Sequence, residues 1–158
     1  MRAGQRASAD PHWLEHRVRI GAPRDRVWRL VEEPESLMQW VHGLRSVTAR
    51  DGGPGGFALG ATFVQRVKIG LVPSACQGQV TAFEAPSRLA VVVRHALFEL
   101  DIGYDFTADG RRATKVVCQA AVHGLALGTV IPRRKVEAVT SELLEEHLAA
   151  LRALAERG

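Results

Sequence analysis

The stretch that decides the fold is residues 134–157, RKVEAVTSELLEEHLAALRALAER, which contains no glycine and no proline. Apolar residues recur there at the spacing of one helix face, and this pattern predicts one long amphipathic helix. The residues predicted on its inward stripe are Val136, Thr140, Leu143, Leu144, His147, Leu151 and Leu154. The charged residues that lie mostly off the stripe are Glu137, Glu142, Glu145, Glu146 and Arg152. Such a helix is marginal in isolation, so we expect it to pack on a sheet.

The chain before this helix changes to an alternating hydrophobic period, which indicates β-strands. The first strand is predicted at residues 13–20, and two short helices follow it at 25–31 and 35–40, separated by Pro34. Turn signals then separate the remaining strands, including a break at Pro73-Ser74 and a hairpin at Ala108-Asp109-Gly110. Those strands are predicted at residues 44–50, 61–71, 76–83, 89–95, 99–107 and 114–122. The prediction is an α+β fold in which a seven-stranded curved antiparallel sheet wraps around the last helix.

Length and composition limit the classes of protein to consider. With 158 residues, 46% of them hydrophobic, we expect a single domain at 13–158 after a flexible lead-in at 1–12. Two cysteines exclude a disulfide scaffold, and no apolar run is long enough to span a membrane. The start of the chain lacks an apolar signal core, so we expect a cytoplasmic protein. The net charge of +4 is not concentrated among aromatic residues, which argues against nucleic-acid binding. Homodimerisation is left open.

The predicted sheet also implies a ligand site. A strongly twisted sheet of six or seven strands opens wider than one helix can fill, so a gap remains between them. A gap lined by the inner faces of both is mostly apolar with a few polar groups, as small-molecule sites usually are. The predicted partner is therefore a hydrophobic small molecule, and no metal site and no cofactor are predicted.

Four segments resemble a known superfamily. Residues 20–28, IGAPRDRVW, are similar to its opening motif, and further matches lie at 33–40, 80–89 and 104–116. On these motifs the chain, over about residues 14–157, resembles the START-like helix-grip (SRPBCC) superfamily, on its polyketide cyclase/dehydrase-like branch. The resemblance implies a seven-stranded sheet that grips the last helix over a ligand cavity. It does not choose between an enzyme and a carrier.

Three residues are candidates for acid–base chemistry. His147 is predicted near the centre of the helical stripe, either as a core histidine with a hydrogen-bond partner or as an acid or base that faces the ligand. His95 ends a valine-rich strand, in phase with its inward residues, and is either a hairpin-tip histidine in water or a group at the cavity mouth. Tyr104 lies on the apolar face of its strand. Its hydroxyl either is satisfied in the core, or it orients a ligand carbonyl or donates a proton to the ligand.

The remaining candidates would line the cavity. Gln65 interrupts an apolar strand face and is a candidate for a hydrogen bond to the ligand. If the register slips by one residue, Arg66 and Lys68 face inward instead. Trp40 is either a cap of the cavity or plain core. The full predicted ligand-binding set is Gln65, Trp40, Val67, Val91, Ile102, Cys118, Leu143, Leu144 and Leu151.

Three functions fit these residues. The first is a polyketide cyclase or dehydratase that enforces a conformer of its substrate and transfers protons. The second is a carrier or sensor of a lipid-like or aromatic ligand, which needs the same cavity without proton transfer. The third is an interaction protein that uses apolar loops. Two titratable groups converging in the pocket would favour the enzyme, and a purely aliphatic lining would favour the carrier.

Overall fold

The computed structural model describes residues 13–41, 44–49, 58–69, 72–96, 98–123 and 132–157, and the predicted lead-in at 1–12 lies outside them. These residues form seven strands and three helices in the predicted order, which confirms the α+β class. The elements are β1 (Leu14–Ile20), α1 (Arg24–Glu32), α2 (Pro34–Trp40), β2 (Leu44–Ala49), β3 (Thr62–Ile69), β4 (Val72–Glu84), β5 (Arg88–Arg94), β6 (Glu99–Ala108), β7 (Thr114–His123) and α3 (Arg133–Arg157).

All seven strands join one antiparallel sheet in the order β1-β7-β6-β5-β4-β3-β2. Strands β2 to β7 are neighbours in chain order, as hairpin connections require, and β1 closes onto β7. In that pair Val18 lies opposite Val116, and Ile20 lies opposite Thr114. The first strand is therefore an edge of the sheet, beside the strand that precedes α3 in the chain.

The predicted break at Pro73-Ser74 is wrong, because both residues lie inside β4. Pro73 pairs in register with Lys68 of β3, whereas the ladder between β4 and β5 begins only at Gln77. At Pro73 the strand is therefore paired on one side. Proline is tolerated near a strand start or at an edge, since its missing N–H then removes no ladder hydrogen bond.

The two short helices join around Pro34. Helix α1 buries Val27, Trp28 and Val31, as the predicted amphipathic pattern requires. Pro34 then occupies the first position of α2, where the amide hydrogen that it lacks would have no helical acceptor. The same residue therefore ends one helix and begins the next.

Helix α3 packs mainly against β1, α1 and α2. The Gly21 amide donates a hydrogen bond of 2.7 Å to Glu156 Oε2, and Arg26 Nε donates one of 2.7 Å to the Ala155 carbonyl oxygen. Nearer the middle of α3, Ser141 Oγ and His16 Nε2 form a hydrogen bond of 2.8 Å. These bonds fix the helix along one edge of the sheet.

The buried row of α3 differs in phase from the predicted stripe. Leu144 and Leu151 are buried as predicted, together with Leu148 and Ala155, which the prediction left out. Leu143 is 37% exposed, so its predicted inward position is wrong. Adjacent helical residues point about 100° apart, and α3 turns Leu144 rather than Leu143 toward the core. Within the described residues, no helix is long and apolar enough to cross a bilayer.

Candidate functional site

One end of the space between the sheet and α3 is filled by aromatic side chains. The Trp28 ring centroid lies 5.6 Å from that of Phe83 and 5.5 Å from that of Phe106. Leu151 and Ala155 of α3 belong to the same core cluster and are almost fully buried. This end is occupied by protein.

The space becomes more open along β6, toward the hairpin that joins β5 and β6. Phe106 and Tyr104 are buried, but Ile102 and Leu100 are only half-buried, although all four alternate onto one face of the strand. Val91, which lies opposite Ile102 in β5, is half-buried as well. Val91, Leu100 and Ile102 pack against the core and yet keep accessible surface, which we interpret as unfilled space in front of them, because a packed core leaves few voids. We call the space over Val91, Leu100 and Ile102 the hollow.

Three rings from three elements lie together between the filled end and the hollow. The Trp40 ring centroid is 6.1 Å from that of Tyr104 and 6.4 Å from that of His147, and both pairs are nearly perpendicular. Trp40 Nε1 donates a hydrogen bond of 2.9 Å to the Leu30 carbonyl oxygen, which fixes the indole. Trp40 is buried and His147 is half-buried. The structure thus brings together three residues that the sequence nominated separately.

Tyr104 and Cys118 face each other in register across β6 and β7. Burial is the main reason that the pKa of Tyr104 lies well above its ordinary value, and the neighbouring Cys118 sulfur raises it further. Burial likewise raises the pKa of Cys118 to about 12. Near neutral pH the phenol is therefore a hydrogen-bond donor, and the thiol is not a thiolate nucleophile.

Gln65 lies on the inner face of the sheet, opposite Cys76 of β4 and Val47 of β2. Its side chain is half-buried, so it places an amide in an otherwise apolar wall. Arg66 is exposed, and the alternative register that turned it inward is therefore wrong. The side chains of Val67 and Lys68 lie outside the described residues.

His95 lies at the tip of the hairpin between β5 and β6. Its amide donates a hydrogen bond of 2.9 Å to the Phe98 carbonyl oxygen, and the two rings stack with centroids 4.9 Å apart. His95 is half-buried, two residues beyond the inward Val93. It therefore belongs to the rim at the hairpin, whereas His147 belongs to the ring series with Trp40.

The other predicted lining residues divide by exposure. Val91 and Ile102 border the hollow, and Leu144 is 2% exposed. Leu151 and Cys118 have no accessible surface, so in this structure they belong to the packed core and do not border the hollow. Leu143 is on the outer side of the buried row of α3. The described residues contain no group of three His, Cys, Asp or Glu side chains that could hold a metal ion.

The sequence prediction missed a charged residue that faces inward. Glu137 was placed off the stripe, yet its side chain is only 12% exposed and Arg133 Nε lies 3.5 Å from its Oε2. Glu137 lies seven residues before Leu144, which is the spacing of one helix face. That spacing to the buried row is the signal that could have identified it.

Two surface grooves also flank α3. One, of about 450 Å³, runs between β1 and α3, past His16, Leu148 and Arg152. The other, of about 250 Å³, lies between α2 and α3, past Met38 and Glu146. Neither lining includes a residue of β5 or β6, so both are distinct from the hollow.

One family of known proteins matches nearly the whole chain. Residues 12–156 match the family described as polyketide cyclase / dehydrase and lipid transport. The chain belongs to this family. No curated protein matches the chain.

Solved structures share the fold of this polyketide cyclase / dehydrase and lipid transport family member at low sequence identity. A START superfamily protein from Mycobacterium smegmatis is 16% identical with a TM-score of 0.79, covering 92% of this chain and 98% of its own. The Zhui aromatase/cyclase from Streptomyces sp. R1128 is 18% identical with a TM-score of 0.79, covering 92% and 94%. The di-domain ARO/CYC StfQ from the steffimycin biosynthetic pathway is 17% identical with a TM-score of 0.71, covering 91% of this chain and 45% of its own. These likenesses confirm the predicted helix-grip fold, and the family match over residues 12–156 confirms the resemblance to the polyketide cyclase/dehydrase branch.

Proposed function

We propose that this protein binds a hydrophobic small molecule in the hollow between the sheet and α3. The observation that carries the proposal is the half-buried apolar surface of Val91, Leu100 and Ile102 on the inner face of the sheet. Gln65 and His147 add polar groups to the lining. Apolar concavities with a few fixed polar groups are the usual form of small-molecule sites.

The family description names both polyketide cyclase / dehydrase activity and lipid transport. The two roles use a similar cavity, and they differ in whether a proton is moved. The pKa of Tyr104 is raised by burial, and its hydroxyl already has Cys118 as a partner, so this phenol is a poor proton donor to a ligand. Binding is therefore the role that the geometry supports best, and the ligand class is lipid-like or aromatic.

A second candidate function is dehydration of a β-hydroxy ketone, as in a cyclase or dehydratase. The ring series favours it, because the ring series lies between the filled end and the hollow and includes the His147 imidazole. In this reaction His147 would take a proton from the carbon next to the ketone, and the β-hydroxyl would leave as water with a proton supplied by solvent or by the imidazolium. His95 at the rim is the other titratable candidate from the predicted set.

Binding is tested by filling the hollow. Val91→Trp places a large ring on the inner face of β5, and Val92→Trp places the same ring one residue along, on the outer face. We expect Val91→Trp to weaken binding of naphthalene at least tenfold by isothermal titration calorimetry, while Val92→Trp binds like the wild type. Native mass spectrometry of the purified protein would show whether an apolar ligand co-purifies. Equal binding by both tryptophan variants would reject the site.

The enzymatic candidate has its own test. A β-hydroxy ketone gains ultraviolet absorbance when it loses water to form the conjugated enone, so turnover can be followed directly. We expect His147→Ala to abolish turnover and to keep both the fold and the binding of naphthalene. If the wild type binds the β-hydroxy ketone but does not dehydrate it, the carrier function stands and the dehydratase is rejected. Unchanged turnover in His147→Ala would remove this histidine from the mechanism.

A further inference from the structure

Strand β1 is an edge of the sheet, and one of its two sides has no strand partner. It pairs with β7 over Leu14–Ile20 without a register shift, and none of the described strands pairs with its other side. The strand contains no proline and no bulge, two of the features by which proteins usually prevent edge-to-edge association. Its seven residues therefore present a regular row of backbone donors and acceptors along the free edge.

The larger surface groove runs along this free edge. It is lined by three consecutive residues of β1, His16, Arg17 and Val18. Because successive side chains of a strand point to opposite faces, consecutive residues share one groove where the groove follows the backbone edge. On its other side the groove is bounded by one flank of α3, where Ala149 and Ala153 are small. A strand added beside β1 would enter this open space of about 450 Å³.

The burial pattern of β1 limits how a second copy of the strand can pair with it. Even-numbered residues from 14 to 20 are half-buried or buried on the side of α3, whereas the odd-numbered residues between them are exposed on the outer face. Residues directly opposite each other in an antiparallel pair point to the same face. In a symmetric pair of β1 strands, even-numbered residues must therefore lie opposite even-numbered ones. The two-fold axis then passes beside one residue of β1, which lies opposite its own copy.

The charges on the outer face select one of these registers. With the axis at Glu15, Arg17 or Arg19, that residue lies opposite its own copy, and two like charges meet. With the axis at Val18, Arg17 lies opposite Arg19 of the second copy, which again opposes like charges. With the axis at His16, Glu15 of each copy lies opposite Arg17 of the other. This register alone, of those that keep most of the strand paired, matches opposite charges on both sides of the axis.

We infer that two copies of this chain associate edge to edge through β1, as a symmetric dimer with its two-fold axis at His16. Glu15 and Arg17 are accessible to a second copy, because 36% and 72% of these side chains remain exposed. The same register places Leu14 opposite Val18, and pairing covers the remaining surface of these two half-buried side chains. This dimer does not depend on a ligand in the hollow.

Charge reversal tests the interface. Sedimentation velocity of the full chain over a wide range of concentrations should show a monomer–dimer equilibrium. Glu15→Arg and Arg17→Glu each place like charges opposite each other on both sides of the axis, so we expect each to weaken the dimer about tenfold or more. An equal mixture of the two variants should form a heterodimer about as stable as the wild-type dimer, because opposite charges face each other again. Arg66→Glu, at an exposed position of β3, is the matched control and should dimerise like the wild type.

Disulfide formation tests the register. Directly opposite Cα atoms in an antiparallel pair are about 4.5–5.5 Å apart, which is within the reach of a disulfide. In a glutathione redox buffer, a mixture of Glu15→Cys and Arg17→Cys should form a disulfide-linked dimer, whereas neither variant alone should. The wild type, whose two cysteines are both buried, is the control. Linkage of either variant with itself and not with the other would place the axis at that residue and overturn the register.

The remaining outcomes decide whether the dimer exists. A wild type that stays monomeric at every concentration overturns it. A dimer that Glu15→Arg and Arg17→Glu leave unchanged also overturns it, since that dimer would use another surface. Circular dichroism checks that each variant is folded, and if a charge-reversed variant is unfolded, the cysteine pair decides alone. Because none of these measurements involves naphthalene, a failure of the dimer is distinct from a failure of the ligand site.

Discussion

The ring of Phe63 in β3 occupies the space beside its cross-strand partner Gly78 in β4. A Cβ atom at position 78 would stand 2.1 Å from Phe63 Cζ, far inside van der Waals contact. Phe63 is 4% exposed, so its ring is enclosed by the core and has little room to move. The absence of a side chain at Gly78 is therefore what lets an aromatic ring pack on the inner face of the sheet at this point.

Gly78→Ala is expected to destabilise the protein. Adding a methyl group under an enclosed ring forces a shift of side chain or backbone, which lowers the free energy of unfolding by about 1–3 kcal/mol. Urea denaturation followed by circular dichroism measures the change. Gly103→Ala is the matched control, because a Cβ there would lie 3.6 Å from Arg88 Nη2, an ordinary contact. If both variants lost equal stability, the cause would be the strand backbone and not Phe63.

The difference between the filled end and the hollow predicts unequal costs for truncating core residues. Leu151 has no accessible surface, so Leu151→Ala should lower the free energy of unfolding by about 2–5 kcal/mol. Ile102 is half-buried, and Ile102→Ala should cost about 1–2 kcal/mol, since less surface leaves the core. Urea denaturation compares the two. An Ile102→Ala cost as large as that of Leu151→Ala would mean that the hollow is packed.

The phenol of Tyr104 offers a direct measurement, because it is the one tyrosine in the sequence. Burial raises its pKa well above the ordinary value of 10.0, so the folded protein should show no tyrosinate absorbance as the pH passes 10. The neutral phenol stabilises the fold below pH 10, and this contribution is lost as the pH rises toward the raised pKa. Tyrosinate should therefore appear together with alkaline unfolding.

Two comparisons test whether burial raises the pKa of Tyr104. The protein unfolded in urea should titrate near the ordinary value, and Tyr104→Phe should lose less stability above pH 10 than the wild type does. A gradual tyrosinate signal near pH 10 with unchanged circular dichroism would show that the phenol is accessible to solvent.

The sequence was sufficient to predict the fold, because strand alternation and the helical period of α3 are local signals. Its errors arose where tertiary context decides. Pro73 was predicted as a break because the sequence does not show that β4 is paired on one side only at that point. Leu143 was predicted to face inward because the exact rotation of α3 is set by its docking on β1 and not by its own pattern.

The site was predictable only by residue type. The sequence identified three aromatic or imidazole side chains as candidate site residues, Tyr104, Trp40 and His147. Their assembly into one ring series depends on how α2 and α3 pack. Glu137 was overlooked because charged residues in an amphipathic helix are usually solvated. Its ion-pair partner Arg133 also donates a hydrogen bond to the Val122 carbonyl oxygen near the end of β7, and a side chain's solvent exposure is settled by such tertiary contacts, which form only on folding.

Helix α3 also carries a prediction on acid stability, at its C-terminal end. Glu156 Oε2 accepts hydrogen bonds from the Gly21 amide at 2.7 Å and from Arg152 Nε at 3.2 Å. The Gly21 N–H is the main reason that the pKa of Glu156 is lowered from 4.5, and Arg152 adds to the effect. A carboxylate with a lowered pKa stabilises the fold above pH 4.5, and this contribution is lost as the pH falls through the lowered pKa.

Glu156→Gln should therefore reduce stability at neutral pH and flatten its decline below pH 4.5, because the amide keeps its shape but has no charge to lose. The measurement is the free energy of unfolding in urea at a series of pH values from neutral to acid. Glu142→Gln, at an exposed position of the same helix, should leave the shape of that profile unchanged. If wild type and Glu156→Gln differ by a constant amount across the acid range, the ionised carboxylate is not what holds the end of α3 to the loop at Gly21. The hydrogen bond from Gly21 to a neutral side chain would then be sufficient.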